Sequence, residues 1–126
     1  MMRTKYLFAV LCALPVLAWA DNCDRTRNTF DDIYCTNKIY ANADAELNQN
    51  YQRLQKKLNA NQKNLLKRSQ IRWIRQRDTQ CDTSDESSQS VNVDCRLRQT
   101  QERNHWLRER LRECQAVGCK TSMLDH

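Results

Sequence analysis

A single glycine, Gly118, and a single proline, Pro15, punctuate the 126 residues of this chain. Tight hairpins draw on Gly, Asn-Gly or Pro to reverse direction, so a sheet-rich fold has almost nothing to turn with. With no proline after residue 15, nothing interrupts the hydrogen-bond ladder of a long helix. Scarce glycine also removes phosphate-cradling loops, and the length removes a dinucleotide-binding fold or a barrel. The expectation is an all-α fold: a small antiparallel helical bundle made of a short N-terminal helix, a helical hairpin and a C-terminal helix.

Residues 1–20 stand apart from that domain. Met1-Met2-Arg3-Thr4-Lys5 is basic, Tyr6 to Leu17 is almost wholly apolar, and Ala18-Trp19-Ala20 places small residues two apart. This is the form of a secretory signal peptide, cut before Asp21. The apolar run is too short to span the ~30 Å of a bilayer's hydrocarbon, so no transmembrane segment is expected. Cys12 follows Leu11, which does not suit a lipoprotein site. Losing Arg3 and Lys5 takes the formal charge from +6 to +4, and losing Cys12 leaves Cys23, Cys35, Cys81, Cys95, Cys114 and Cys119. An even number in a small exported chain reads as three disulfides, formed in the periplasm or outside the cell. Zinc is the weaker reading, because Cys114-x4-Cys119 with a distant His126 is poor ligand spacing.

Helical periods organise the rest. Thr29-Phe30-Asp31-Asp32 resembles a capping box opening a helix to about Thr36. Tyr40, Asp44 (with Ala43), Leu47, Tyr51, Leu54 and Leu58 then recur at steps of three and four, one stripe of a second helix. Asn42, Glu46, Asn50, Arg53 and Lys57 fall on the opposite face, read as solvated. After a turn at Asn59-Ala60-Asn61, Leu66, Gln70, Trp73, Arg77 and Cys81 form a stripe flanked by Leu65, Ser69 and Ile74. If the two helices are antiparallel and each rises ~1.5 Å per residue, facing positions sum to roughly 121. Leu47 then meets Trp73 and Ile74, and Asp44, the one charge on its stripe, meets Arg77. A partly buried structural Asp44–Arg77 ion pair is expected.

Residues 82–94 carry no stripe and hold the densest acidic cluster, Asp82, Asp85, Glu86 and Asp94, on a loop between Cys81 and Cys95. Ser87 and Val93 stand where a calcium loop needs Gly and Glu. Leu97, Thr100, Asn104, Leu107, Leu111 and Cys114 mark a last helix, with Gly118 as a left-handed stop. Residues 120–126 read as a flexible tail beyond a domain of residues 21–119. The expected core is Tyr40, Leu47, Tyr51, Leu54, Leu58, Leu66, Trp73, Ile74, Leu107 and Leu111. Spacing suggests the sequential disulfides 23–35, 81–95 and 114–119, although six cysteines permit fifteen pairings.

No catalytic, metal-binding or cofactor-binding set emerges. His105, near Glu102 and Glu109, reads as a solvated helix-surface histidine, and oxidised cysteines offer no thiol nucleophile. A binding protein fits better than an enzyme. Lys67, Arg68, Arg72 and Arg75, and Arg96, Arg103 and Arg110 at heptad spacing, read as solvated basic faces. Nucleic acid is not the expected partner, given the export signal, the modest charge and the lack of interleaved aromatics.

The run Cys35…Ala43-Asp44-x-x-Leu47-Asn48-x-x-Tyr51-x-x-Leu54, then Leu65…Gln70-x-x-Trp73-Ile74-x-x-Arg77-Asp78-x-x-Cys81…Cys95, resembles the LprI-type lysozyme inhibitor N-terminal domain. Thr100 and Arg103 sit where that family has its closing Thr-x-x-Arg. The resemblance spans about residues 23–111 and implies a small exported bacterial helical domain with a protein partner such as lysozyme or another muramidase. The loop between the central cysteines lacks the family's frequent glycines, Cys114 and Cys119 look additional, and the lipid attachment signal of lipoprotein members is missing. Inhibition would proceed by steric blockage of the sugar cleft. Many lysozymes are basic, so a +4 chain gains no long-range attraction, and the acidic loop is the candidate contact. The alternatives are an envelope accessory protein binding anionic cell-wall polymer or a membrane surface, and an immunity-type protein.

Overall fold

A computed structural model describes Cys23 and residues 28–84 and 89–126 of the chain. The expected export signal, residues 1–20, lies outside the described residues, as do Asp85 and Glu86. Three helices carry the fold: α1 (Thr29–Gln55), α2 (Ala60–Cys81) and α3 (Val93–Ala116). Between α2 and α3 run two short antiparallel strands, β1 (Asp82–Ser84) and β2 (Gln89–Val91), paired Asp82 to Val91 and Ser84 to Gln89. The architecture is an all-α bundle held by three disulfides, Cys23–Cys35, Cys81–Cys95 and Cys114–Cys119.

The short first helix expected from the sequence is not separate. It continues into the helix that follows, and α1 runs unbroken for 27 residues. Nothing between Thr36 and Tyr40 terminates it, since Asn37 and Lys38 tolerate helical geometry and no Gly or Pro intervenes. Its cap is Asn28 rather than Thr29: the Asn28 carboxamide oxygen accepts from Asp31 N at 2.9 Å. The turn to α2 is closed by a capping box, in which Gln62 N donates to Asn59 Oδ1 and Asn59 N donates to Gln62 Oε1. Asn92 caps α3, and Gly118, at φ +101°, ends it in the left-handed conformation that glycine adopts without strain.

The core is a leucine cluster of Leu47, Leu54, Leu58, Leu66, Leu107 and Leu124, edged by Tyr51, Leu65, Trp73, Trp106 and Leu111. Full burial of each leucine contributes about 1.5–3 kcal/mol. A core this small gains from covalent closure, and each disulfide adds about 2–4 kcal/mol in chain-entropy terms. Tyr40 is half-buried and lies outside the cluster. Ile74 does not join the core. It is 36% exposed, because Trp73 and Arg77 turn the inner face of α2 by a fraction of a turn and leave Ile74 on its flank.

Two further expectations are overturned. Asn50, assigned to the solvated face of α1, is 4% exposed, because α1 lies closest to α3 rather than to α2. Asn50 Nδ2 donates to Asn104 Oδ1 at 3.1 Å, and Asn104 Nδ2 donates to the Ala43 carbonyl at 3.0 Å. The loose tail is also not loose. Residues 121–123 form a 3₁₀ turn, Leu124 is 1% exposed in the core, and Gln62 Nε2 donates to Thr121 Oγ1. Met123 and Leu124, two adjacent apolar residues in seven, form no period, so the pattern was silent about them.

Candidate functional site

Two neighbouring surfaces at the β1–β2 end of the bundle bring together the polar residues singled out in the sequence. The first is the hairpin. Its base is closed by Cys81–Cys95 and by Arg96, which donates through Nε to Asp82 Oδ1 at 2.9 Å and through Nη2 to Asp82 Oδ2. Arg96 Nη1 also donates to the Tyr40 hydroxyl, and its Nη2 lies 3.1 Å from Asp78 Oδ1. Bidentate charge-assisted bonds of this type fix geometry as well as adding energy. The hydrogen bond from Arg96 holds the Asp82 carboxyl below its ordinary pKa, and the same bond holds the Arg96 guanidinium above its own.

Asp82 is therefore engaged inside the molecule. Asp94 lies exposed in the first turn of α3, where its charge faces the positive end of the helix dipole. The two strands are joined by residues 85–88, which include Asp85 and Glu86 and lie outside the described residues.

The second surface is a groove of about 430 Å³ between α1 and α2. Leu47 and Tyr51 from α1 and Gln70, Ile71 and Ile74 from α2 form its walls. At the hairpin end Arg77, with a side chain 9% exposed, faces Asp44, 44% exposed, at 3.7 Å from Nη1 to Oδ1. That is an ion pair by distance and too long for a hydrogen bond. Arg77 Nε instead donates to Asp78 Oδ1 at 3.2 Å, so Asp44, Arg77, Asp78, Arg96 and Asp82 form one charge relay from the groove to the hairpin base. Among the described residues Arg77 Nη1 has no hydrogen-bond partner. Tyr51 lines the groove with its hydroxyl accepting from Gln55 Nε2, and burial raises its pKa.

The basic heptad on α3 is not the solvated face that its spacing suggested. Arg103 is 5% exposed, and the side chains of Arg96 and Arg110 are 18% and 11% exposed. Arg103 donates to Gln70 Oε1, Ser69 Oγ and the main-chain oxygen of His126, and its guanidinium stacks 3.8 Å from the Trp106 ring. Arg77 lies over Trp73 and Arg110 over Trp106, so arginines and tryptophans alternate across the α2–α3 contact. Burial, aided by the charge of Arg72, lowers the Arg103 pKa to about 10, and it stays protonated at neutral pH. Oxygens of Gln70, Ser69 and His126, together with the ring faces, thus accommodate a charge that heptad spacing alone placed in water. Heptad spacing alone does not show this stack, although Trp73, Arg77, Arg103, Trp106 and Arg110 at steps of three and four carry its signal.

Among the described residues no cluster of His, Cys, Asp and Glu could hold a metal ion, and no helix is long and apolar enough to cross a membrane. The family model described as "Lysozyme inhibitor LprI" matches residues 20–107. Cys114, Cys119 and the packed C-terminal segment lie beyond that match. No curated protein and no solved structure matches the chain.

Proposed function

The chain belongs to the lysozyme inhibitor LprI family, and on that premise we propose that it inhibits a lysozyme or related muramidase by sterically blocking the enzyme's sugar cleft. The family match over residues 20–107 carries this reading. The protein acts without catalysis, outside the cytosol. Three disulfides suit an oxidising compartment, and the first twenty residues have the form of a cleaved export signal.

The blocking element is the segment between Cys81 and Cys95. A disulfide and the bidentate Arg96–Asp82 clamp brace its base, so the two ends of the segment are fixed before a partner arrives. Its sequence supplies Asp85, Glu86 and Asp94 for a cationic partner. Asp82 has a bracing role, because its carboxylate already binds Arg96.

A turbidity assay of cell-wall lysis, with lysozymes of several structural classes and the oxidised mature protein, tests the function. Dose-dependent inhibition, lost on reduction, is expected. In the same assay a variant combining Asp85→Asn, Glu86→Gln and Asp94→Asn weakens inhibition. Undiminished inhibition by that variant would remove the acidic segment from the contact.

A further inference from the structure

We propose that the groove between α1 and α2 seats a segment of the protein partner's polypeptide, an aliphatic side chain with its adjoining peptide bond. This rests on the reading of the chain as an inhibitor that binds an enzyme, and it adds a second contact beside the hairpin.

The groove has an apolar half and a polar half. In the apolar half Ile71 and Ile74, three residues apart on one face of α2, are 37% and 36% exposed. They stand across from Leu47 and Tyr51, so a partner's aliphatic side chain would be enclosed from both helices. Ile71 and Ile74 are the large aliphatic residues that the middle of the bundle leaves in water, since the other exposed large hydrophobics lie at the start of α1 and at Val117. Clusters of this kind supply the central anchor of protein interfaces.

In the polar half a donor and an acceptor face each other without bonding. Arg77 is nine-tenths buried, and among the described residues its hydrogen bonding is confined to Nε, toward Asp78. Its Nη1 lies 3.7 Å from Asp44 Oδ1, and neither atom makes a hydrogen bond there. A buried donor left unmatched costs about 1–3 kcal/mol, which a suitable guest recovers. Nη1 is shielded from solvent, so engagement requires the half-exposed Asp44 carboxylate to swing aside.

The matching guest must accept from the guanidinium and donate to the carboxylate. A peptide bond does both, through its C=O and its N–H. A carboxylate or phosphate would bring a second negative charge against Asp44, and Lys67 is at the far rim, so a simple anion is disfavoured. The apolar half is aliphatic at Leu47, Ile71 and Ile74, with Tyr51 as its one ring, which suits a peptide side chain better than a sugar face.

The test uses the oxidised mature protein and a variant carrying Ile71→Asp and Ile74→Asp. Both positions are about a third exposed, so its melting temperature is expected to stay within a few degrees of the parent. Against a lysozyme that the parent inhibits, the variant should need roughly tenfold more protein for half inhibition, the scale of one interface anchor. The Ile71 and Ile74 methyl resonances of the parent should shift when that lysozyme is added. Equal inhibition by both proteins, with silent methyl signals, overturns the groove and leaves the hairpin reading standing. A parent that neither binds nor inhibits any lysozyme fails at the earlier step, and the groove's role toward that partner falls with it. Methyl shifts produced by an N-acetylglucosamine oligomer alone overturn the polypeptide occupant in favour of a glycan.

Discussion

α1 meets its two neighbours in opposite ways. Toward α3 it presents small residues, Ala43 and Asn50, against Thr100 and Asn104, and the two backbones come close enough for Asn104 to bond the Ala43 carbonyl. Toward α2 it presents Leu47 and Tyr51 against Gln70, Ile74 and Arg77, and a groove remains between them. Helix separation follows side-chain bulk at the contact. Small residues, with Asn50 and Asn104 hydrogen-bonded to each other, make a closed seam, whereas long side chains joined only at one end leave an accessible cleft. The same helix therefore supplies a rigid structural face and a face suited to a partner.

The difference can be broken from the seam side first. Leu107→Ala, at a fully buried position of α3, should cost about 2–5 kcal/mol in urea or thermal unfolding. Asn104→Ala removes the seam's central amide, strands Asn50 Nδ2 and takes away the second bond to the Ala43 carbonyl, for an expected loss of about 1–3 kcal/mol. On the groove side Asp44→Ala should cost under about 1 kcal/mol, because its carboxylate is 44% exposed and makes no hydrogen bond to Arg77. A loss from Asp44→Ala as large as that from Asn104→Ala would erase the distinction between the two faces.

A pH titration sharpens it further. Asp82 has a lowered pKa in the folded protein, so its clamp to Arg96 stabilises fully above the carboxylate's unfolded value near 4. That contribution is lost as pH falls through the lower folded value. The expected outcome is an acid-sensitive hairpin base whose slope below about pH 4 flattens in Asp82→Asn, measured by unfolding at fixed pH steps. Asn50 and Asn104 do not titrate, so the amide pair of the seam has no acid-sensitive group of its own.

Helical content and sequential disulfides were legible because period and cysteine spacing are local properties. What escaped the sequence depends on contacts between distant segments. Asn50 looks solvent-facing until Asn104, 54 residues away, supplies its partner. Arg103 looks like a surface charge until Gln70, Ser69 and the His126 carbonyl converge on it. Ile74 sits beside a core stripe and a small rotation of α2 takes it out. The continuity of α1 was hidden for a related reason. Phe30, Ile33, Tyr34 and Ile39 are exposed, so the first turns lack the buried stripe that marks a helix in sequence. The groove was visible only in part, as an expected facing of Asp44 with Arg77. Its open, unbonded geometry follows from how far α2 stands off, which no spacing encodes.

Of the three tryptophans, Trp19 falls in the expected export signal, while Trp73 and Trp106 both lie against the Arg103 guanidinium. In a chain cut before Asp21, the intrinsic tryptophan emission would come from that single contact between α2 and α3. The protein thus carries an optical gauge for the parting of those two helices, while events in the groove or hairpin that leave the contact intact pass without colour change.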